Sequence, residues 1–172
     1  MMPTGATRTQ RVADLAAVLD EEIDLLAARR DQLARLTVAI PGGDERATER
    51  LLQQMERTQQ AQAQTDNRLR AARNAMASAL ACDASQLRLS RLVDRLDGAD
   101  RDRIERRRAR IVALVEAVRR EHIKAAMLLS ECARINRELL ESLFPASTPV
   151  TTYGAAGRES WRPHTGLVDT ES

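Results

Sequence analysis

Helix-breaking residues are nearly absent from the longest part of this chain. Between Asp44 and Phe144 the sequence has no proline and a single glycine, Gly98. Because proline and glycine interrupt helices more than any other residues, such a run favours long helices. Aromatic residues make up only 2 % of the chain, so little ring area is available for a thick globular core. We therefore predict an all-α fold with thin apolar seams between helices.

Charge, hydropathy and cysteine spacing indicate which partners and which cellular compartment to expect. The chain has 27 basic and 25 acidic side chains, for a formal net charge of +2, and we expect no nucleic-acid partner. No stretch approaches the roughly 20 apolar residues of a membrane span, and no secretion signal is visible, so we expect no membrane insertion. Cys82 and Cys132 lack metal-type spacing. We expect them to be reduced thiols of a cytoplasmic protein.

Three long amphipathic segments are visible. The first covers about residues 9–40, with an apolar residue every seven positions, at Val12, Leu19, Leu26, Leu33 and Ile40. The sequence Pro-Gly-Gly at 41–43 ends it, and Asp44 is the expected N-cap of a second helix over about residues 45–81. A short helix follows over about residues 89–96. The third long helix is predicted for residues 100–144, where Pro145 ends it.

The apolar stripe predicted for the third helix keeps a three-four alternation throughout. Its members are Ile104, Arg108, Ile111, Val115, Val118, His122, Ala125, Leu129, Cys132, Asn136, Leu139 and Leu143. Short connections make neighbouring helices antiparallel, so the prediction is an elongated antiparallel bundle or coiled coil of three long helices and one short helix. We divide the chain into a disordered N-terminus (1–8), a helical bundle domain (9–144) and a flexible tail (145–172).

The middle of the second helix has polar residues on its packing side, at Thr58, Gln62 and Thr65. One interpretation is a loosely packed seam that the apolar flanks hold together. The other is a polar layer that fixes the register between helices, as a buried polar residue does in coiled coils.

No arrangement of residues points to catalysis. His122 has no nucleophile or orienting partner in sequence, and we interpret it as a half-buried packing residue. The glycine-containing segments do not follow the strand–loop–helix pattern of phosphate loops. The arginine-rich run at 101–110 is either a phosphate-binding patch or, as we favour, a solvated helix face. We predict no enzyme activity, no cofactor and no metal site.

The C-terminal part of the chain has the features of a binding surface. Paired apolar residues at 128–129, 139–140 and 143–144 give the last helical turns more apolar surface than one seam needs. Either this surface accepts a partner's helix or the first helix covers it. Tyr153 and Trp161 stand in the polar tail, where they are either anchors for a partner or incidental.

Residues 128–140, Leu-Leu-Ser-Glu-Cys-Ala-Arg-Ile-Asn-Arg-Glu-Leu-Leu, lie before a proline-containing linker and the segment Thr-Tyr-Gly-Ala-Ala-Gly-Arg at 152–158. This order resembles the C-terminal half of the FlgN-type flagellar export chaperones, which are small, cytoplasmic and all-helical. The resemblance covers about residues 87–158. The chain departs from the family pattern at Ala125, where an asparagine is common, and at Ala155 and Ala156, where Pro-Asp is usual.

The resemblance implies a non-catalytic carrier. Family members bind the hook–filament junction proteins before secretion, prevent their premature assembly, and deliver them to the export gate of the flagellar type III apparatus. Carried over to this chain, the client-binding residues would be Leu128, Leu129, Ile135, Leu139, Leu140, Leu143 and Phe144. Tyr153 would contact the cytoplasmic domain of the gate or the client, and Trp161 is a second candidate anchor in the tail.

A structural or scaffolding coiled coil is the main alternative. Such a protein would homodimerise through the same apolar seams and would have no role in export. The two hypotheses differ in the species they require, since the scaffold needs a tight self-associated form and the chaperone a stoichiometric complex with its client.

Overall fold

The computed structural model describes residues 7–143, 151–153 and 159–161. Four α-helices and two short strands follow one another: α1 (Arg8–Ala39), α2 (Glu45–Ala79), α3 (Leu89–Asp94), α4 (Gly98–Leu143), β1 (Thr151–Tyr153) and β2 (Glu159–Trp161), with a single 3₁₀ turn at Ala84–Gln86. The all-α prediction of long helices is confirmed. The chain divides into two compact units, Met1–Ala126 and Met127–Ser172.

Helix boundaries follow local capping chemistry. The Thr7 hydroxyl accepts a hydrogen bond of 3.3 Å from the Gln10 N–H at the start of α1. Asp44 caps α2 as predicted, because its Oδ1 accepts a bond of 2.9 Å from the Ala47 N–H. Between the two helices, Gly43 has a φ of +65°, which an L side chain rarely adopts and glycine adopts without strain.

Helices α1 and α2 run antiparallel, and polar contacts define their register. Gln32 Nε2 donates to Thr58 Oγ1 (2.9 Å), and Gln62 Nε2 donates to Glu22 Oε2 (2.7 Å). We call Glu22, Gln32, Thr58 and Gln62 the polar layer. These bonds cross from one helix to the other, and Thr65 beside them is 6 % exposed. The interpretation of this segment as a register-fixing layer is therefore favoured over a loose seam.

The main core lies where all four helices of the first unit contribute apolar side chains. It is lined by Val12, Leu15, Ala16, Leu19, Met76, Ala77, Leu87, Leu92, Val93, Leu96 and Ile104. Arg107 holds α4 to α1 beside this core, because its Nε donates to the Ala16 carbonyl (3.2 Å) and its Nη2 to Asp20 Oδ2 (2.7 Å). A smaller cluster of Leu36, Ala39 and Leu51 closes the turn between α1 and α2.

The packed side of α4 differs in part from the predicted stripe. Ile104, Leu114 and Ala125 are buried, whereas Val115 is 46 % exposed and His122 is exposed. The assignment of His122 as a half-buried packing residue is therefore wrong. The packed positions 104, 111, 118, 125 and 132 recur every seven residues, as in coiled coils. Between these positions the structure packs residues 114, 121 and 128. The predicted stripe instead contained the next residue in each case, at 115, 122 and 129.

The second unit contains the end of α4 and a two-stranded antiparallel pair. The register places Thr151 opposite Trp161, Thr152 opposite Ser160 and Tyr153 opposite Glu159. Apart from these strands, the residues of the predicted flexible tail lie outside the described residues, as does Phe144. The proposed flexibility and the division into domains stay predictions. None of the described helices combines the length and the apolar character needed to cross a bilayer.

Candidate binding surface

The last turns of α4 present a broad apolar surface to solvent. At 3.6 residues per turn, Leu128, Leu129, Ile135, Leu139, Leu140 and Leu143 spread over about 140° of the helix circumference. We call these six residues the C-terminal apolar face. Leu139, Leu140 and Leu143 are 54, 58 and 70 % exposed, while Leu128 is half-buried. A surface helix of a globular protein normally turns such a face toward a core.

Ion pairs within the helix occupy the opposite side of the same turns. Arg134 Nη1 donates to Glu138 Oε1 at 2.5 Å, and its Nε donates to Glu131 Oε2 at 3.0 Å, with a further contact from Nη2 to Glu131. The spacing of three and four residues places these groups on one side of the helix. The hydrogen bond from Arg134 lowers the pKa of the Glu131 carboxyl, and both glutamates raise the pKa of Arg134. These bonds stabilise the helical turns without any contribution from the apolar face.

Acidification tests this local support. The pKa of Glu131 is lowered from its ordinary value of 4.5, so the ion pair stabilises the helix above that value and is lost as pH falls through the lowered pKa. We expect residues 127–143 to lose helicity as pH falls below about 4.5, through the lowered pKa of Glu131. Cα chemical shifts along this segment measure the change. In E131Q the Glu131 component should be absent, and an identical acid transition in that variant would contradict the assignment.

Six of the predicted contact residues lie together on α4, and three do not enter the surface that the structure describes. Phe144 lies outside the described residues, and for Tyr153 and Trp161 the structure describes the strand backbone alone. Their roles as contacts stay predictions. Sequence analysis omitted Cys132 from this surface, although it is half-buried on the same face, four residues after Leu128. The i, i+4 spacing was the signal that could have found it.

The chemistry of this surface is that of apolar contact. Among the described residues, no group of three or more His, Cys, Asp or Glu is placed to hold a metal ion. An exposed apolar stripe on a helix, with charge confined to the opposite side, can pack against the apolar face of another amphipathic helix. The arrangement is therefore chemically suited to packing against an amphipathic helix.

Comparison with known proteins adds an independent line of evidence. The family model described as "FlgN protein" matches residues 2–160, which is most of the chain. No curated protein and no solved structure matches the chain. The match includes all four helices, the C-terminal apolar face, β1 and the first two residues of β2. The chain therefore belongs to the FlgN family.

Proposed function

We propose that this protein is a cytoplasmic export chaperone that binds the helical termini of hook–filament junction proteins and prevents their premature assembly. The FlgN family is a family of flagellar chaperones, and the resemblance in the C-terminal half points to junction proteins as clients. The client helix packs on the C-terminal apolar face. The same complex then delivers the client to the flagellar type III export gate.

The observation that carries this proposal is the exposure of the C-terminal apolar face. Leu139, Leu140 and Leu143 are each more than half exposed, and Leu129 and Ile135 are 49 and 44 % exposed. Soluble proteins rarely leave contiguous apolar patches uncovered, and those that do generally use them for binding. Such a face suits the adhesive terminal helices that the resemblance assigns to the clients, because an amphipathic helix can bury its apolar stripe against another apolar surface.

Delivery requires a second contact and reversible affinity. We propose that Tyr153, at the end of β1, contacts the cytoplasmic domain of the export gate, and that Trp161 in β2 is a further anchor. Large aromatic side chains supply much of the binding energy at protein interfaces. The client contact, by comparison, rests on aliphatic side chains, which suits a complex that has to be released.

Sedimentation equilibrium with purified junction proteins tests the function. The chaperone proposal expects a stoichiometric complex of this protein with a junction protein, and a complex that also includes the soluble gate domain when it is added. If the protein instead forms a tight homodimer that binds neither, the scaffolding coiled coil is the correct function. A truncated junction protein without its terminal helices serves as the control and should not bind.

A further inference from the structure

One cavity of the first unit is formed by residues that precede α4 in the sequence. It is a cavity of about 440 Å³ bounded by α1, α2 and the segment that leads into α3. Its floor is leucine, with Leu15 from α1, Leu69 from α2 and Leu92 from α3 among the lining side chains. Leu15 and Leu92 are buried, but Leu69 is half-buried, so the cavity opens to solvent. Its volume falls within the range of ligand sites in proteins, roughly 300–1,000 Å³.

Arginine side chains surround this leucine floor. Arg70 and Arg73 come from α2, and Arg88 comes from the residue that precedes α3. Among the residues that the structure describes, none of the three forms an ion pair or a side-chain hydrogen bond. The one carboxylate in the lining, Asp66, accepts a hydrogen bond of 3.1 Å from Gln62. The cavity therefore combines an apolar floor with a net positive charge, because three arginines stand against one carboxylate.

We propose that this cavity is a second docking site, which accepts an acidic amphipathic helix of a partner protein. The apolar side chains of such a helix would fill the leucine floor, and its carboxylates would pair with the arginines. The lining of the cavity shares no residue with the C-terminal apolar face. The proposal therefore adds a second partner, of defined chemistry, to the proposed function.

The placement of the charges favours a helix over a small anion or a fatty acid. Asp66, Leu69, Arg70 and Arg73 follow the spacing i, i+3, i+4 and i+7, so they form one stripe along about two turns of α2. Arg88 lies in the segment that leads into α3, which also bounds the cavity. A fatty acid has a single carboxylate at one end, and it would leave most of this charge unpaired. An amphipathic helix presents acidic residues on both sides of its apolar stripe, and guanidinium groups bind carboxylates well.

Calorimetric titration of the full chain with synthetic peptides tests the site. The probe is a capped helical peptide of Ala, Leu and Glu, with leucines at three-four spacing and glutamates on both sides. We expect it to bind with an affinity that falls as salt rises, and we expect the same peptide with lysine in place of glutamate not to bind. In R70E with R73E the affinity for the glutamate peptide should fall by about tenfold or more.

A matched pair of substitutions separates the cavity from overall charge. R46E with R57E makes the same change on exposed positions of α2 outside the cavity, and its affinity should stay within about twofold of the unaltered chain. Equal weakening in both variants, equal binding of the lysine peptide, or binding of dodecanoate without binding of the peptide would each overturn the proposal. Circular dichroism checks that both variants are folded.

We expect substitutions in one of the two binding surfaces to leave binding at the other unchanged. R70E with R73E should still capture junction proteins, and substitutions on the C-terminal apolar face should still bind the glutamate peptide. If R70E with R73E abolishes client capture while the peptide does not bind the unaltered chain, the cavity belongs to the client site and the second-site proposal is wrong.

Discussion

Aspartate at both Leu139 and Leu140 should abolish capture of junction proteins and leave the helix content unchanged. The two side chains are 54 and 58 % exposed, so neither substitution creates a buried charge in the free protein. In a complex with an apolar client helix, both carboxylates would lie in the interface without a partner, and burial of an unpaired charge is strongly unfavourable. Pull-down of a junction protein measures capture, and far-ultraviolet circular dichroism measures helix content.

The control for this prediction is an aspartate at an equally exposed apolar position on the same helix. Val112 is 54 % exposed and lies outside the C-terminal apolar face, so V112D should bind client as the unaltered protein does. Full capture by the L139D, L140D variant would contradict the proposed client surface. Loss of capture in V112D as well would show that the effect of charge on α4 is general.

Truncation of a core leucine should have the largest effect on stability. Leu19 is fully buried among side chains of α1, α2, α3 and α4. We expect L19A to lower the free energy of unfolding by about 2–5 kcal/mol, because it removes buried methyl groups and leaves a cavity. Urea denaturation followed by circular dichroism measures the change.

The same substitution at an exposed leucine provides the comparison. L140A should change the free energy of unfolding by no more than about 0.5 kcal/mol, because surface positions contribute little to stability. Client binding should follow the reverse order, with L140A weakening capture and L19A preserving it under conditions where the variant is folded. Similar stability losses in the two variants would mean that Leu140 is covered in solution.

Local signals made the helices predictable. The Pro-Gly-Gly sequence at 41–43 and the capping side chain of Asp44 act within a few residues, so the end of α1 and the start of α2 could be read from the sequence. The same holds for α4, which Gly98 begins and whose interior contains neither proline nor glycine. Exposure of the C-terminal apolar face could not be decided in this way, since it depends on what other helices cover.

The orientation of α4 was predicted less accurately because two neighbouring apolar residues satisfy almost the same spacing. At 114–115 and 128–129 either residue continues a three-four alternation, and neighbours on a helix are only about 100° apart. The structure buries Leu114 and leaves Val115 half exposed. A straight helix drifts by about 20° per heptad from a seven-residue repeat, so the error grows along a helix of 46 residues.

The arginine-lined cavity could not be predicted from the sequence at all. Arg70 and Arg73 are separated from Arg88 by the end of α2 and the 3₁₀ turn, and α1 supplies part of the floor. Only packing brings these residues together. In the sequence each arginine is one of many on solvated helix faces, and nothing local distinguishes it.

The position of Trp161 in β2 has a practical consequence for spectroscopy. The chain has one tryptophan and one tyrosine, and both lie in the strand pair, while the helices of the first unit contain no aromatic residue. Intrinsic fluorescence therefore reports on the strand pair and on whatever binds there, without any contribution from the helices. An emission shift upon addition of the gate domain can be recorded in the same cuvette in which ellipticity follows the bundle.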